Sequence, residues 1–167
     1  MNKIFGIGLA KTATTSLSRA MSILGFSSKH YSFDVENDLK KYQFLNDVPI
    51  QARYKEYDKR FPKSKFILTI RDESSWLVSI QKQFFKHKRP KNSVLYNNWL
   101  EQFGFFENNQ EMFLKKYRDH KIEAEKYFEG RNDFLIMNIF GGDGWNKLCN
   151  FLNVRIPKVQ FPHLNKS

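Results

Sequence analysis

Lys3-Ile4-Phe5-Gly6-Ile7-Gly8-Leu9-Ala10-Lys11-Thr12-Ala13-Thr14-Thr15-Ser16-Leu17 joins an apolar run to two glycines, a lysine and a cluster of hydroxyls. Lys3 to Leu9 is short, rich in isoleucine and followed by small residues, which reads as a buried strand entering a loop. From Thr14 to Gly25, Leu17, Ala20, Met21 and Leu24 recur at helical spacing. Thr14 or Thr15 can cap the start of that helix, and Gly25 fits its stop. A loop that feeds a helix faces unpaired N–H groups and the positive end of the helix dipole. Lys11 adds a mobile charge, and Thr12, Thr14, Thr15 and Ser16 add hydroxyl donors, so the segment reads as a cradle for a phosphate-like anion. An ordinary strand-to-helix turn, with Lys11 solvated and the threonines capping, would use the same residues. The segment departs from the nucleoside-triphosphate loop G-x-x-x-x-G-K-[ST], because Ala10 stands where the second glycine belongs.

The strand-then-helix pattern recurs. Lys65 to Ile70 is a second buried strand, ended by Arg71-Asp72, and Ser74 or Ser75 is placed to cap a helix with Leu77, Ile80 and Phe84 on one face. Phe134 to Ile139 is a third. Gly141-Gly142-Asp143-Gly144 then turns the chain into a last helix, with Trp145, Leu148, Cys149 and Leu152 on one stripe. Strands alternating with helices predict an α/β fold, a three-layer α/β/α arrangement around a central parallel sheet. Ligands of such folds bind beyond the carboxyl ends of the strands, so the loops after Leu9 and Ile70 carry the functional reading. Lys82 to Phe128 reads as mostly helical and has no evident place in the sheet.

Composition narrows the classes. The 167 residues are 41% hydrophobic and 27% charged, which suits one globular domain spanning 1–167. No apolar run approaches the roughly 18 residues of a spanning helix, and the apolar stretch before Lys11 is too short for a secretory signal. Cys149 is the one cysteine, which excludes an internal disulfide and a thiolate-built zinc site and makes the cytoplasm the expected compartment. The net charge of +11 argues for a polyanionic partner: nucleic acid, a phosphorylated nucleotide, a sulfated sugar or an anionic membrane. No helix-turn-helix, zinc finger or aromatic ribonucleoprotein motif is present, which disfavours nucleic acid. Most of the 17 phenylalanines must lie in the core.

The run from Lys11 to Leu17 resembles the 5′-phosphosulfate loop of sulfotransferases that use 3′-phosphoadenosine-5′-phosphosulfate (PAPS). A second element of that family is an arginine closing a strand with a serine eight residues on, and Arg71 and Ser79 match it. The end of the chain, Gly142-Asp143-Gly144-Trp145 with Pro157 and Phe161-Pro162-His163-Leu164-Asn165, is similar to a compact bacterial-type branch, where Asp47-Val48-Pro49 also recurs. The resemblance implies a P-loop-NTPase-like fold and PAPS as donor without a metal, leaving adenosine 3′,5′-bisphosphate as product. It implies that Gly8, Lys11, Thr12, Ala13, Thr14, Thr15 and Ser16 surround the 5′-phosphosulfate and that Arg71 and Ser79 grip the 3′-phosphate. Lys11 would neutralise charge on the leaving oxygen. Two departures stand out. Ala13 and Ser16 replace the Gly and Trp usual in the cytosolic branch, and its Arg-Lys-Gly motif is missing.

Transfer to an alcohol needs a general base. Asp47 and His30 are the candidates, both in the segment that returns over the strand ends. Asp47 also suits a helix N-cap ahead of Val48-Pro49. His87, His120 and His163 read as surface or packing residues, and Trp145 and Phe161 as core. The run Lys82-Gln83-Phe84-Phe85-Lys86-His87-Lys88-Arg89-Pro90-Lys91 is either a solvated helix end or a mouth that attracts an anion; Lys115 to Arg118 reads as an exposed helix face. The acceptor stays open among sugars and other glycans, lipids, small phenols and peptidyl tyrosine, as does the oligomeric state. Three rivals remain. One is a small kinase using ATP and magnesium, with Asp72 as the metal partner. The others are a non-enzymatic nucleic-acid binder and a family member that binds the nucleotide without turnover.

Overall fold

The structure is a computed structural model and describes residues 2–86 and 89–164; His87, Lys88 and Asn165 lie outside the described residues. Its elements run β1 (Ile4–Gly6), α1 (Thr14–Ile23), β2 (Ser28–His30), α2 (Val35–Lys41), β3 (Phe44–Asn46), a 3₁₀ turn (Ile50–Ala52), α3 (Tyr54–Arg60), β4 (Lys65–Thr69), α4 (Glu73–Lys86), α5 (Val94–Phe103), α6 (Gln110–Tyr127), β5 (Phe134–Met137) and α7 (Trp145–Leu152). The five strands form one sheet in the order β2-β3-β1-β4-β5, and each neighbouring pair is parallel. The three strands expected from the sequence are present, each ending earlier than its apolar run. β2 and β3 were not foreseen. Ser28-Lys29-His30 has no apolar residue, and Phe44-Leu45-Asn46 is too short to show a period. The described residues between Lys82 and Phe128 make up the end of α4, α5, α6 and their connections, and add no strand.

Alternation along the strands builds two faces. Ile4, Phe44, Ile67 and Met137 pack under Leu17, Ala20 and Met21 of α1 and under the Trp145, Leu148, Cys149 and Leu152 stripe of α7. Phe5, Leu45, Phe66 and Leu68 point the other way, against Tyr54 and Tyr57 of α3, Ala124 of α6 and Phe128. Phe5, Phe44, Phe66, Phe113 and Phe128 are fully buried, and burying each such ring contributes about 1.5–3 kcal/mol. A third cluster, of Leu9, Ala10, Trp76, Ile80, Trp99, Phe103, Phe113 and Tyr117, lies past the carboxyl end of β1, where α4, α5 and α6 meet the loop. Trp145 lies in the core as read. Its indole N–H donates to Val159 O at 2.6 Å and its ring meets Phe161 edge-on, which folds the tail back over α1.

Helix ends meet one expectation and overturn another. Gly25 does follow α1, at φ 88°, with its N–H on Ser22 O. Neither Ser74 nor Ser75 caps α4. Asp72 does so, its Oδ1 accepting the Ser75 N–H at 3.0 Å and the Ser74 hydroxyl at 2.6 Å. This occupies the carboxylate that a kinase reading would give to magnesium. After β1 the chain leaves toward β2, and after β4 toward β5 on the opposite side. The crevice between β1 and β4 is therefore a topological switch point.

Candidate active site

Every strand delivers one groove residue at or just past its carboxyl end: Lys11 after β1, His30 ending β2, Asp47 after β3, Arg71 after β4 and Phe140 after β5. Because all five strands are parallel, these residues converge on one edge, around a groove of about 480 Å³. Ala13, Thr14 and Thr15 of the loop line it, as do Ser79, Lys82, Gln83 and Lys86 on one face of α4. Of the basic run, Lys82 and Lys86 are thus exposed helix residues that line the groove. Their signal was present in the spacing of Ser75, Ser79, Lys82 and Lys86, which one face of a helix repeats.

The loop enters α1 through two left-handed residues. Lys11 and Ala13 have φ of 71° and 74°, and the Thr12 N–H between them donates to Leu9 O at 3.3 Å. Ala13 is the N-cap of α1 and contributes no side-chain bond, so the expected capping by Thr14 or Thr15 does not occur. The amides of the first helical turn keep facing the groove without an intrahelical partner. Tyr31 (φ 61°) and Asp47 (φ 67°) are also left-handed. Each such non-glycine residue costs about 1–3 kcal/mol; Lys11, Ala13 and Asp47 line the groove, and Tyr31 lies in the wall of the cavity beside it.

The threonines turn instead to a pair of titratable groups. Thr14 Oγ1 donates to Asp47 Oδ2 at 3.0 Å, and His30 Nε2 lies 2.9 Å from the same oxygen. The hydroxyls of Thr14 and Thr15 lie 3.2 and 3.3 Å from His30 Nε2. The remaining Asp47 oxygen accepts the Val48 N–H at 2.8 Å, so this carboxylate is not a helix cap. Burial pushes the Asp47 carboxyl up, but His30, the Val48 N–H and Thr14 outweigh it and hold it below the usual carboxylate range. Lys11 is shifted down by burial first, then by the charges of Arg71 and Lys86, against the opposing pull of Asp47.

Arg71 is held from several sides. Its Nε donates to Ser75 Oγ at 2.9 Å, its Nη1 reaches Lys11 O at 3.4 Å, and its guanidinium lies 4.0 Å from the Phe140 ring centre. The Tyr117 hydroxyl accepts the Arg71 N–H at 2.8 Å and donates to Arg71 O at 2.5 Å, fixing the backbone from α6. Tyr117 packs on Trp76, whose indole N–H donates to Ala10 O at 2.9 Å. One aromatic pair thus positions both the loop and the arginine. Tyr117 interrupts the stretch expected to be an exposed face, while Lys115 and Arg118 pair outside with Asp119 and Glu73.

Three expected residues do not line the groove. Thr12 is buried; its hydroxyl donates to Leu9 O at 2.6 Å and lies 2.7 Å from Thr69 Oγ1. Gly8 lies beneath it, where a Cβ would come within 1.9 Å of Thr69 Oγ1, so this glycine serves contact with β4. Ser16 Oγ accepts the Leu164 N–H at 2.9 Å and ties the tail to α1. His120 is a packing residue, its Nε2 2.7 Å from Ile7 O, and His163 packs near Phe161. Missed by the sequence were Phe140, Tyr117 and Trp76, which no motif marks.

A family model described as "Sulfotransferase domain" matches residues 32–167, most of the chain. The chain belongs to the sulfotransferase family. A crystal structure of a sulfotransferase from Alicyclobacillus acidocaldarius superimposes with a TM-score of 0.59 at 15% identity, covering 96% of this chain and 84% of the other. "Ava biosynthesis cluster protein M" of Aspergillus versicolor is 22% identical over 214 residues, 97% of this sulfotransferase and 80% of the relative. Among the described residues no helix is long and apolar enough to cross a membrane, and no group of three His, Cys, Asp or Glu is placed to hold a metal ion.

Proposed function

We propose that this single domain binds PAPS in the groove and transfers its sulfuryl group to the hydroxyl of a small-molecule or glycan acceptor. One observation carries the reading: the Lys11 loop and the Arg71–Ser79 pair, far apart in sequence, line one groove at the switch point of the sheet. The donor set fits the ligand. Lys11, Arg71, Lys82 and Lys86 face one carboxylate, Asp47, and the volume of 480 Å³ is within the range of a nucleotide-sized site. Lys11, Ala13, Thr14 and Thr15 would hold the phosphosulfate with the helix amides; Arg71 and Ser79 would hold the 3′-phosphate, with Phe140 beside the arginine. Gly8, Thr12 and Ser16 support the loop from behind.

Bound there, PAPS supplies a sulfuryl group whose bond to the 5′-phosphate oxygen breaks as the acceptor oxygen bonds to sulfur, adenosine 3′,5′-bisphosphate leaving with the electron pair. Lys11 and the loop amides neutralise charge that builds on the leaving oxygen, in the manner of phosphoryl transfer. The acceptor proton passes to the His30–Asp47 pair. Asp47, held ionised, is the weaker proton acceptor; it orients the His30 ring and stabilises it once protonated, so both residues serve one step.

Calorimetry of adenosine 3′,5′-bisphosphate against ATP tests the donor. The reading expects tight binding of the bisphosphate without magnesium. Binding of ATP alone, and only with magnesium, would return the kinase reading.

A further inference from the structure

A second cavity, of about 210 Å³, adjoins the groove and shares Ala10, His30, Asp47 and Gln83 with it. Beyond this shared wall the cavity is closed by Tyr31, Val48 and residues of α5 (Leu95, Asn98, Trp99 and Gln102), with Arg89 beside them. Two observations there point to a ligand. Gln102 and Trp99 are 3% and 5% exposed, yet the Gln102 Nε2 and Trp99 Nε1 donors are buried without a partner among the described residues. Leaving a buried N–H unpaired is costly, so two in one cavity wall call for an acceptor-rich group. The Arg89 guanidinium lies 4.1 Å from the Trp99 ring centre and donates to the main-chain oxygens of Phe84 and Gln83. It makes that end of the cavity electropositive. The other walls, Ala10, Val48 and Leu95 with the rings of Tyr31 and Trp99, are apolar or flat. The volume exceeds the approximately 150 Å³ that encloses a benzene ring and suits one substituted ring.

We propose that this side cavity is the acceptor pocket and that it selects a one-ring hydroxylated carboxylate. The carboxylate takes the N–H groups of Gln102 and Trp99 beside Arg89; the ring lies among the apolar walls; the hydroxyl reaches the shared wall at His30 and Asp47. This rests on the sulfotransferase reading above and adds the class of its acceptor. A neutral phenol, a peptide tyrosine or trapped water would fit the volume, but none supplies the lone pairs and negative charge that two unpaired donors beside a guanidinium favour.

The test is calorimetry on the full chain saturated with adenosine 3′,5′-bisphosphate. The probes are 4-hydroxybenzoate, 4-hydroxyphenylacetate and 3-(4-hydroxyphenyl)propanoate, each beside its methyl ester. At least one acid is expected to bind about tenfold tighter than its ester, the size of one hydrogen bond to a charged group. Gln102→Leu and Trp99→Phe should each erase most of that preference while binding the bisphosphate as the wild type does. Gln102→Leu should melt no lower than wild type, because it removes an unpaired buried amide, and Trp99→Phe keeps the ring should the first variant misfold. If no acid outbinds its ester, or both variants keep the preference, the inference is overturned. If the bisphosphate itself fails to bind, the donor reading falls, and the acid–ester comparison on the free protein still decides the pocket.

Discussion

Both ends of the sheet carry cations, and the fold treats them differently. At the amino end, Lys3 Nζ donates to the main-chain oxygens of Tyr42 and Leu39, Lys65 Nζ donates to Phe151 O, and Arg131 grips Asp58 at 2.6 and 2.7 Å and Asp133 at 2.8 Å. At the carboxyl end, Lys11 Nζ makes no ion pair among the described residues, and the Arg71 guanidinium meets a hydroxyl, a main-chain oxygen and a ring. Arg131 is shifted up by its carboxylates, whereas Lys11 is shifted down by burial and by neighbours of its own sign. A cation whose counter-charge is built in holds the fold together. Cations brought together without one store repulsion that a bound anion relieves.

The largest effect should come from Lys11→Ala. Transfer should fall about 10²–10³-fold, as when one donor to a developing oxyanion is lost, while the melting temperature holds or rises. Wild-type turnover in that variant would end the mechanism above. Arg71→Ala should weaken adenosine 3′,5′-bisphosphate binding about 10–100-fold with little change in stability. Its counterpart at the other end, Asp58→Ala, should cost about 1–2 kcal/mol of unfolding free energy and leave nucleotide affinity alone. If denaturation and calorimetry showed the two variants alike, the contrast between the ends would be false.

Tyr117→Phe sharpens the same contrast. It should loosen the Arg71 backbone, raise the Kd for the bisphosphate several-fold and cost about 1 kcal/mol; Tyr127→Phe, whose hydroxyl donates to Asp58 at 2.9 Å, should touch stability alone. The smallest effect is in pH. Because the Lys11 pKa lies below the ordinary 10.5, nucleotide affinity should begin to fall at a lower pH than for an ordinary lysine, and Lys11→Arg should remove that decline. On the acid side the sign reverses. The folded Asp47 pKa lies below 3.8, so its contribution to stability is present above that value and lost as the pH falls through the lower one. Asp47→Asn should flatten that part of an acid-denaturation curve.

How much of this was legible follows from the range of each signal. β1, β4 and β5 and the helices after them announce themselves through apolar runs and periodic stripes, because a strand buried on both faces must be apolar throughout. The loop lysine and the His30 and Asp47 candidates were also readable from the residues, whereas the Arg71–Ser79 spacing was marked by the resemblance to the sulfotransferase family. Thr12 shows the limit. A hydroxyl in the loop looks like a ligand donor, but only packing against Thr69 shows that it is spent inside. Ser16, claimed by the backbone of a residue 148 positions away, is the same case.

The chain's own order of residues determined that strands alternate with helices and that a loop with a lysine and clustered hydroxyls follows the first strand, because backbone hydrogen bonding and hydrophobic periodicity act over a few residues. Tertiary structure alone decided that one strand without an apolar residue and another too short to show a period complete the sheet and bring His30 and Asp47 within 2.9 Å. It also decided that Tyr117 holds Arg71 and that Gln102 and Trp99 close a pocket with unpaired donors. Such contacts join residues far apart in the chain, and their energies depend on which side chains the closed sheet leaves facing one another.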